Sequence, residues 1–213
     1  MLLRKRVGVD DMIHLKSVNE TDIANNLKTR LSNHQIYTYI SDVLVSVNPF
    51  ENIPGMFNEE KMESYIRRYM NEVPPHIFAV AERAFRNLQN KNTNQCIIVS
   101  GESGSGKTEA CKALINYISY VSGSGNDVLR VKKVILQSSP LLEAFGNAKT
   151  LRNHNSSRFG KYFSLQFDRQ GNPLGGEITI YLLEKSRICN VARGERSFHI
   201  FYQLLKGADA KLK

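Results

Sequence analysis

"VSGESGSGKTEACKALI" (residues 99–115) sets the end of an apolar run, a glycine-rich turn and a helical stretch in one line. Within it "GESGSGKT" (101–108) fits G-x-x-x-x-G-K-[ST], with a strand-like run before it and a helix after it. Gly101, Gly104 and Gly106 let the backbone curl until successive N–H groups converge on phosphate oxygens. A helix starting near Lys107 adds unpaired N–H groups and a partial positive charge. Lys107 is the point charge for the β- and γ-phosphates, and Thr108 carries a hydroxyl suited to Mg²⁺. The residues predict a phosphate cradle. Kinases, pumps, switches, helicases and motors all use one, so the cradle alone does not choose among them.

The flanks predict an α/β chain. "SVNETDIANNLKTRLSN" (17–33) reads as a helix capped by Asn19 or Thr21, with Ile23, Leu27 and Leu31 on one face. "QIYTYISDVLVSVNPF" (35–50) reads as one or two strands closed by Asn48-Pro49. "PPHIFAVAERAFRNLQN" (74–90) is a helix with prolines before its first turn. "QCIIVS" (95–100) has the unbroken apolar character of a buried parallel strand. After the helix 107–121 come a flexible loop (122–128) and a second helix (128–147) broken near Pro140. A hairpin follows over 161–184, then a helix over 195–209 stopped near Gly207.

Composition sets outer bounds. The chain has 213 residues, 41% hydrophobic and 23% charged, enough for one or two folded domains. Its net charge of +9 favours a polyanionic partner without naming one. Cys96, Cys111 and Cys189 are too scattered for a metal or redox motif and read as buried, reduced thiols of a cytosolic protein. No apolar run reaches the ~18 residues of a membrane span. "MLLRKRVGVDD" (1–11) lacks the apolar core of a secretory signal.

Hydrolysis needs more than a cradle: a metal ligand on the far side, a positioned water and a sensor of the γ-phosphate. "NHNSSRFGKYFSLQF" (153–167) is the candidate, because Asn153, Asn155, Ser156, Ser157 and Arg158 place small hydrogen-bonding groups and one forked cation just before a strand. Asn/Ser-rich loops are common, and this one alone does not decide the matter. His154 reads as solvent-facing and His199 as a core residue on an apolar helix face.

Taken in order and spacing, "GESGSGKTEA", "LLEAFGNAKTLRNHNSSRFGKY" and "YLLEKSR…GERSFHIFYQLL" closely resemble the myosin motor domain, and "VSVNPF" resembles that family's purine-binding loop. The resemblance runs from about residue 7 to the end, and "VGVDDM" near the start resembles class I members. It implies a P-loop NTPase-type mixed sheet flanked by helices, incomplete at the C-terminal end. Residues 1–213 would be the N-terminal part of a single motor domain, with P-loop, switch I and the start of the upper 50-kDa region.

Position by position, the resemblance implies that Gly101, Glu102, Ser103, Gly104, Ser105, Gly106, Lys107 and Thr108 form the P-loop, and Asn153 to Arg158 switch I. Asn153 would contact phosphate oxygens, Ser156 the attacking water or the γ-phosphate. Ser157 would be the second protein ligand of Mg²⁺, opposite Thr108. Lys107, Ser156 and Arg158 would serve catalysis, Arg158 by pairing with a glutamate of switch II. Asn48 and Pro49 would line the adenine pocket. Here the sequence departs from the family pattern: Met56 stands where an aromatic is usual, with Phe57 next, and Glu51 where a basic residue is common.

Switch II, D-x-x-G-F-E, occurs nowhere in the chain. The expected activity is therefore that of a longer parent, an actin-activated ATPase using Mg·ATP. Actin filaments would be its main partner, with calmodulin-like light chains and anionic membrane reached through other regions, and no nucleic acid. Its expected place is the cytoplasm and actin cytoskeleton. The alternative is a truncated, non-hydrolysing nucleotide binder, in which Arg158 lacks a mate and apolar faces stand open. "RVKK" (130–133) and Lys149–Arg152 read as solvated faces and phosphate-side potential, with actin or lipid contact the competing reading.

Overall fold

The computed structural model describes residues 7–123 and 126–209. They form two compact units. The first takes the described residues up to Val99 together with Thr108–Val121; the second takes Ser100–Lys107 and the described residues from Ser122 onward. The architecture is mixed α/β, with six α-helices and three two-stranded antiparallel sheets among the described residues.

In the first unit, α1 (Glu20–Leu31) starts at Asn19, whose side chain accepts from Asp22 N at 2.9 Å. Its buried residues are Asn26 and Arg30, while the expected apolar face is only half-buried. Asn26 acts as a substitute strand partner, accepting from Val9 N (2.8 Å) and donating to Val9 O (3.2 Å). Arg30 donates through Nε and Nη2 to Tyr37 O and through Nη1 to Asp10 (2.6 Å). Burying these groups is tolerable because each is bonded. They tie α1 to the hairpin of β1 (Tyr37–Ile40) and β2 (Val43–Ser46), in which Tyr37 pairs with Ser46.

A short helix, α2 (Glu59–Glu63), precedes α3 (Ile77–Lys91), which His76 caps by accepting from Phe78 N. α4 (Lys107–Val121) follows the P-loop. The first unit's core is aromatic. Phe78 stacks on Tyr117 with centroids 4.9 Å apart, and His76 lies 4.4 Å from Phe78 and 4.8 Å from Tyr37. Glu82 is buried among them, accepting from Tyr117 Oη (2.9 Å) and Arg67 N (2.8 Å). Burial and the Glu82 carboxylate push the Tyr117 hydroxyl well above the usual tyrosine range.

The expected buried parallel strand is not formed. Residues 95–100 join no ladder among the described residues. Ile97 and Val99 pack on the first unit's core, while Ile98 is 86% exposed. One face is covered and the other lacks a partner, so the segment keeps the period of a strand without its hydrogen bonds. Cys96 shares the open face and is exposed, as is Cys189, and Cys111 is half-buried; none is the buried thiol expected.

The second unit starts with the P-loop and continues into α5 (Asn126–Gly146). The expected loop over 122–128 falls partly outside the described residues, at 124–125, and helix is present from Asn126. Pro140 does not break α5. A proline's fixed φ is itself helical, so the helix gives up one N–H and continues. β3 (Asn147–Ala148) pairs with β4 (Ser156–Ser157), and β5 (Gly160–Phe167) with β6 (Pro173–Tyr181) around a turn held by Asp168. After a 3₁₀ turn (Lys185–Ile188), α6 spans His199–Gly207. It starts later than expected because the residues before it are engaged elsewhere: Arg196 N donates to Lys149 O, and Phe198 bridges Ala148. No residue of α6 is buried.

Two outcomes follow from the first unit's core. Burial lowers His76 to a pKa of about 3, against 6.5 in an open chain. The unfolded state therefore binds the extra proton first, and stability falls as pH drops from about 6.5 toward 3. Between pH 7.5 and 5.0 this one residue is expected to remove about 2 kcal/mol. Urea unfolding at the two pH values checks this, with His76→Asn less stable at pH 7.5 but less sensitive to acid. Tyr117→Phe leaves the buried Glu82 one donor short and is expected to cost about 1–3 kcal/mol in the same assay.

Candidate functional site

The P-loop's shape follows from its glycines. Gly104 and Gly106 have φ of +85° and +94°, in the left-handed region that side chains resist. A Cβ on Gly104 would project toward the Asn153 amide, 3.7 Å away. Ser105 N donates to Glu102 O at 3.2 Å, closing the turn. Lys107 Nζ folds over the loop, donating to Gly101 O (2.7 Å) and Glu102 O (2.9 Å). Its positive charge thus sits on the loop itself. A phosphate arriving there would meet an ammonium already in place.

The second loop is the connection between β3 and β4. Thr150 N donates to Asn153 O (2.9 Å) and Thr150 Oγ1 accepts from Asn153 N (3.1 Å), closing residues 150–153 into a tight turn. Asn153 Oδ1 accepts from Asn155 N at 2.9 Å, a second small turn. Three groups from the surrounding elements hold Asn155. Asn147 Nδ2 donates to its Oδ1 (2.9 Å), His199 Nε2 lies 3.1 Å from the same oxygen, and Asn155 Nδ2 donates to Glu143 (3.2 Å). His199 is therefore a half-buried partner of this loop, not the core residue expected; His154 is exposed, as expected.

The two loops meet through their hydroxyls. Ser156 is 1% exposed, and its Oγ accepts from Ser103 Oγ at 2.9 Å. Arg158 Nη1 donates to the same oxygen at 3.0 Å. Arg152 Nη1 lies 3.3 Å from the Glu102 carboxylate, a second link at the rim. Ser157, next along β4, is exposed on the opposite face, as strand alternation requires.

Arg158, expected to lack a carboxylate in this chain, has one. Its Nε donates to Glu184 Oε2 at 2.6 Å. The Glu184 carboxyl is held below its usual range, first by hydrogen bonds from Arg187 and then by those from Arg158.

Of the predicted site residues, the second unit thus gathers Gly101–Lys107, Asn153, Ser156 and Arg158. Thr108 opens the part of α4 that belongs to the first unit. Asn48 and Pro49 also lie in the first unit, where Asn48 Oδ1 accepts from Phe50 N at 3.0 Å. There Met56 packs on the core and Phe57 is partly exposed. Sequence reading missed Asn147, Thr150, His199, Glu184, Arg187 and Glu195. All six lie inside the quoted motifs, where His199 was read as core, but nothing local in the sequence pairs polar side chains that meet only through the fold.

A cleft of about 650 Å³ also opens in the first unit, where Arg68, Arg83, Arg86 and Lys91 are among its lining. It is a weaker anion site, because Arg83 is paired with Asp42 at 2.6 Å and Arg86 stacks on Tyr69. The P-loop's donors are hydroxyls, an ammonium and curled backbone, a set that suits phosphate. The Ser157 and Thr108 hydroxyls are oxygen ligands of the class Mg²⁺ takes.

Residues 9–213 match the myosin head (motor domain). The chain is 54% identical over 213 residues to myosin ID heavy chain of Dictyostelium discoideum, covering 100% of itself and 19% of that protein. It is 53% identical over 211 residues to unconventional myosin-Ib of Homo sapiens, covering 99% of itself and 18% of that protein. With myosin heavy chain IB of Acanthamoeba castellanii it shares 56% over 202 residues, 95% of itself and 17% of that protein. The chain spans about a fifth of the length of these relatives. With its phosphate loop, serine-rich partner loop and near-complete match in hand, the chain belongs to the myosin head (motor domain) family and is most like its class I members.

Proposed function

We propose that this chain is the ATP-binding, N-terminal part of an actin-based motor that couples ATP hydrolysis to movement along actin filaments. The observation that carries the reading is the junction of the two loops: Ser103 Oγ on Ser156 Oγ at 2.9 Å, with Lys107 folded over the P-loop beside it. One loop is built to hold phosphates, and the other brings hydroxyls and a guanidinium to the same place. Residues 101–107 of the phosphate loop and the loop that would sense the γ-phosphate are in one unit.

In this reading Gly101–Thr108 cradle the triphosphate, and Lys107 exchanges the Gly101 and Glu102 carbonyls for β- and γ-phosphate oxygens. Asn153 contacts phosphate, and Ser156 offers its hydroxyl to the γ-phosphate or the attacking water. Thr108 and Ser157 would be the hydroxyl ligands of Mg²⁺, which would supply neutralisation of phosphate charge. Asn48 and Pro49, which resemble the family's purine-binding loop, would be the adenine contacts, with Phe57 the aromatic next to Met56 in sequence. The chain would be part of a mixed P-loop NTPase sheet, with switch II and the main actin surfaces supplied by further sequence. Light chains and anionic membrane would engage other regions, in the cytoplasm on the actin cytoskeleton. No helix among the described residues is long and apolar enough to cross a membrane.

The second reading, a nucleotide binder that does not hydrolyse by itself, is favoured by the apolar surface of the second unit. Leu182 is 85% exposed, and Leu151 and Leu205 are also open. The two readings differ in what the isolated 213 residues do, not in what the site holds.

In the protein that carries this chain, Lys107→Ala is expected to lower kcat for Mg·ATP by about 10²-fold or more. A steady-state assay with and without actin filaments checks this, and wild-type turnover in the variant would remove Lys107 from the site. The 213 residues alone are expected to show no activation by filaments in the same assay; measured activation would reject the second reading.

A further inference from the structure

Four charged groups form a continuous chain behind the switch loop. Leu151 N donates to Glu195 Oε1 (3.3 Å), and Glu195 Oε2 pairs with Arg187 Nη2 (2.9 Å). Arg187 Nε donates to Glu184 Oε2 (2.9 Å), which also accepts from Arg158 Nε (2.6 Å). Arg158 Nη1 then reaches Ser156 Oγ. The chain starts on one side of the loop, at Leu151, and ends on the other, at Ser156. Its middle member, Arg187, is 6% exposed and donates also to Arg196 O (3.0 Å), so it is fixed to the backbone.

The consequence concerns one proton. A guanidinium only donates, so Arg158 must occupy a lone pair of Ser156 Oγ. Ser103 occupies the other. The Ser156 O–H is then left without either neighbour as acceptor and is available to a ligand. Arg158 can keep this arrangement only while its Nε is held by a carboxylate on the far side. The Glu184 carboxylate does so, and the two backbones are tied separately by Glu184 N donating to Arg158 O at 2.9 Å.

We propose that Glu184 is a positioning residue for the hydrolysis assigned above: through Arg158 it fixes the direction in which Ser156 donates its proton. Glu195 and Arg187 hold Glu184 in place, so the ion chain as a whole sets the Ser156 hydroxyl. The inference rests on the nucleotide reading of the site.

The test is a double-mutant cycle in the full-length protein that carries this chain, with kcat and KM for Mg·ATP and the affinity for a fluorescent ATP analogue as readouts. Glu184→Gln is expected to lower kcat by about 10- to 100-fold while affinity changes less than about threefold. In a Ser156→Ala background the same substitution is expected to change kcat by less than about twofold, because its target is gone. Equal losses in both backgrounds, or an affinity loss as large as the kcat loss, would overturn the proposal. Should Glu184→Gln fail to fold, Glu195→Gln carries the test, with a smaller kcat loss that also vanishes in Ser156→Ala. A wild-type protein that hydrolyses no ATP overturns the nucleotide reading and this inference together; a hydrolysing wild type with an additive cycle overturns this inference alone.

Discussion

A backbone that must offer its N–H groups to a ligand cannot use them to hold itself. This constraint shapes the second unit. The P-loop has an internal turn, Ser105 N on Glu102 O, and is held further by its lysine, by Ser156 and by Arg152 at the rim. The β3–β4 connection depends in the same way on side chains: Thr150 and Asn153 for its turns, Asn147, Glu143 and His199 for Asn155. Polar residues around the site therefore act as scaffold, and their dense bonding explains why so many are buried or half-buried there.

The two units solve stability differently. The first has an aromatic and aliphatic core, with Phe78, Tyr117 and Tyr65 almost wholly buried and a carboxylate, Glu82, fully bonded inside it. In the second, buried hydrophobics are sparse among the described residues, chiefly Ala148 and Phe198. Its hairpin and α6 present apolar residues to the outside. Ion pairs and hydrogen bonds order the site locally, but such pairs contribute little net stability when partly exposed. The geometry of the site is thus better determined than the stability of the unit that bears it.

What the sequence disclosed was whatever depends on local order. Asn19 as a cap, the G-x-x-x-x-G-K-T turn, the hairpins and the Asn/Ser loop all follow from neighbours in the chain. The errors share a cause in long-range contacts. Asn26 and Arg30 are buried on a face that apolar periodicity assigns to Ile23 and Leu27, because their value lies in bonds to Val9 and Tyr37. α6 starts late because Arg196 and Phe198 are committed to the β3 region. Arg158 finds Glu184, 26 residues on, a pairing that no local pattern announces.

The 95–99 segment carries a consequence for biogenesis. A strand with one face seated and its hydrogen-bonding edges open is a template for any extended chain that meets it. During translation it leaves the ribosome before any later strand could pair with it. In that interval a holding chaperone, the proper partner and a second nascent copy would compete for the same row of amides. The order in which the polypeptide is made, as much as the affinity of the final pairing, then governs how much of it reaches its folded state.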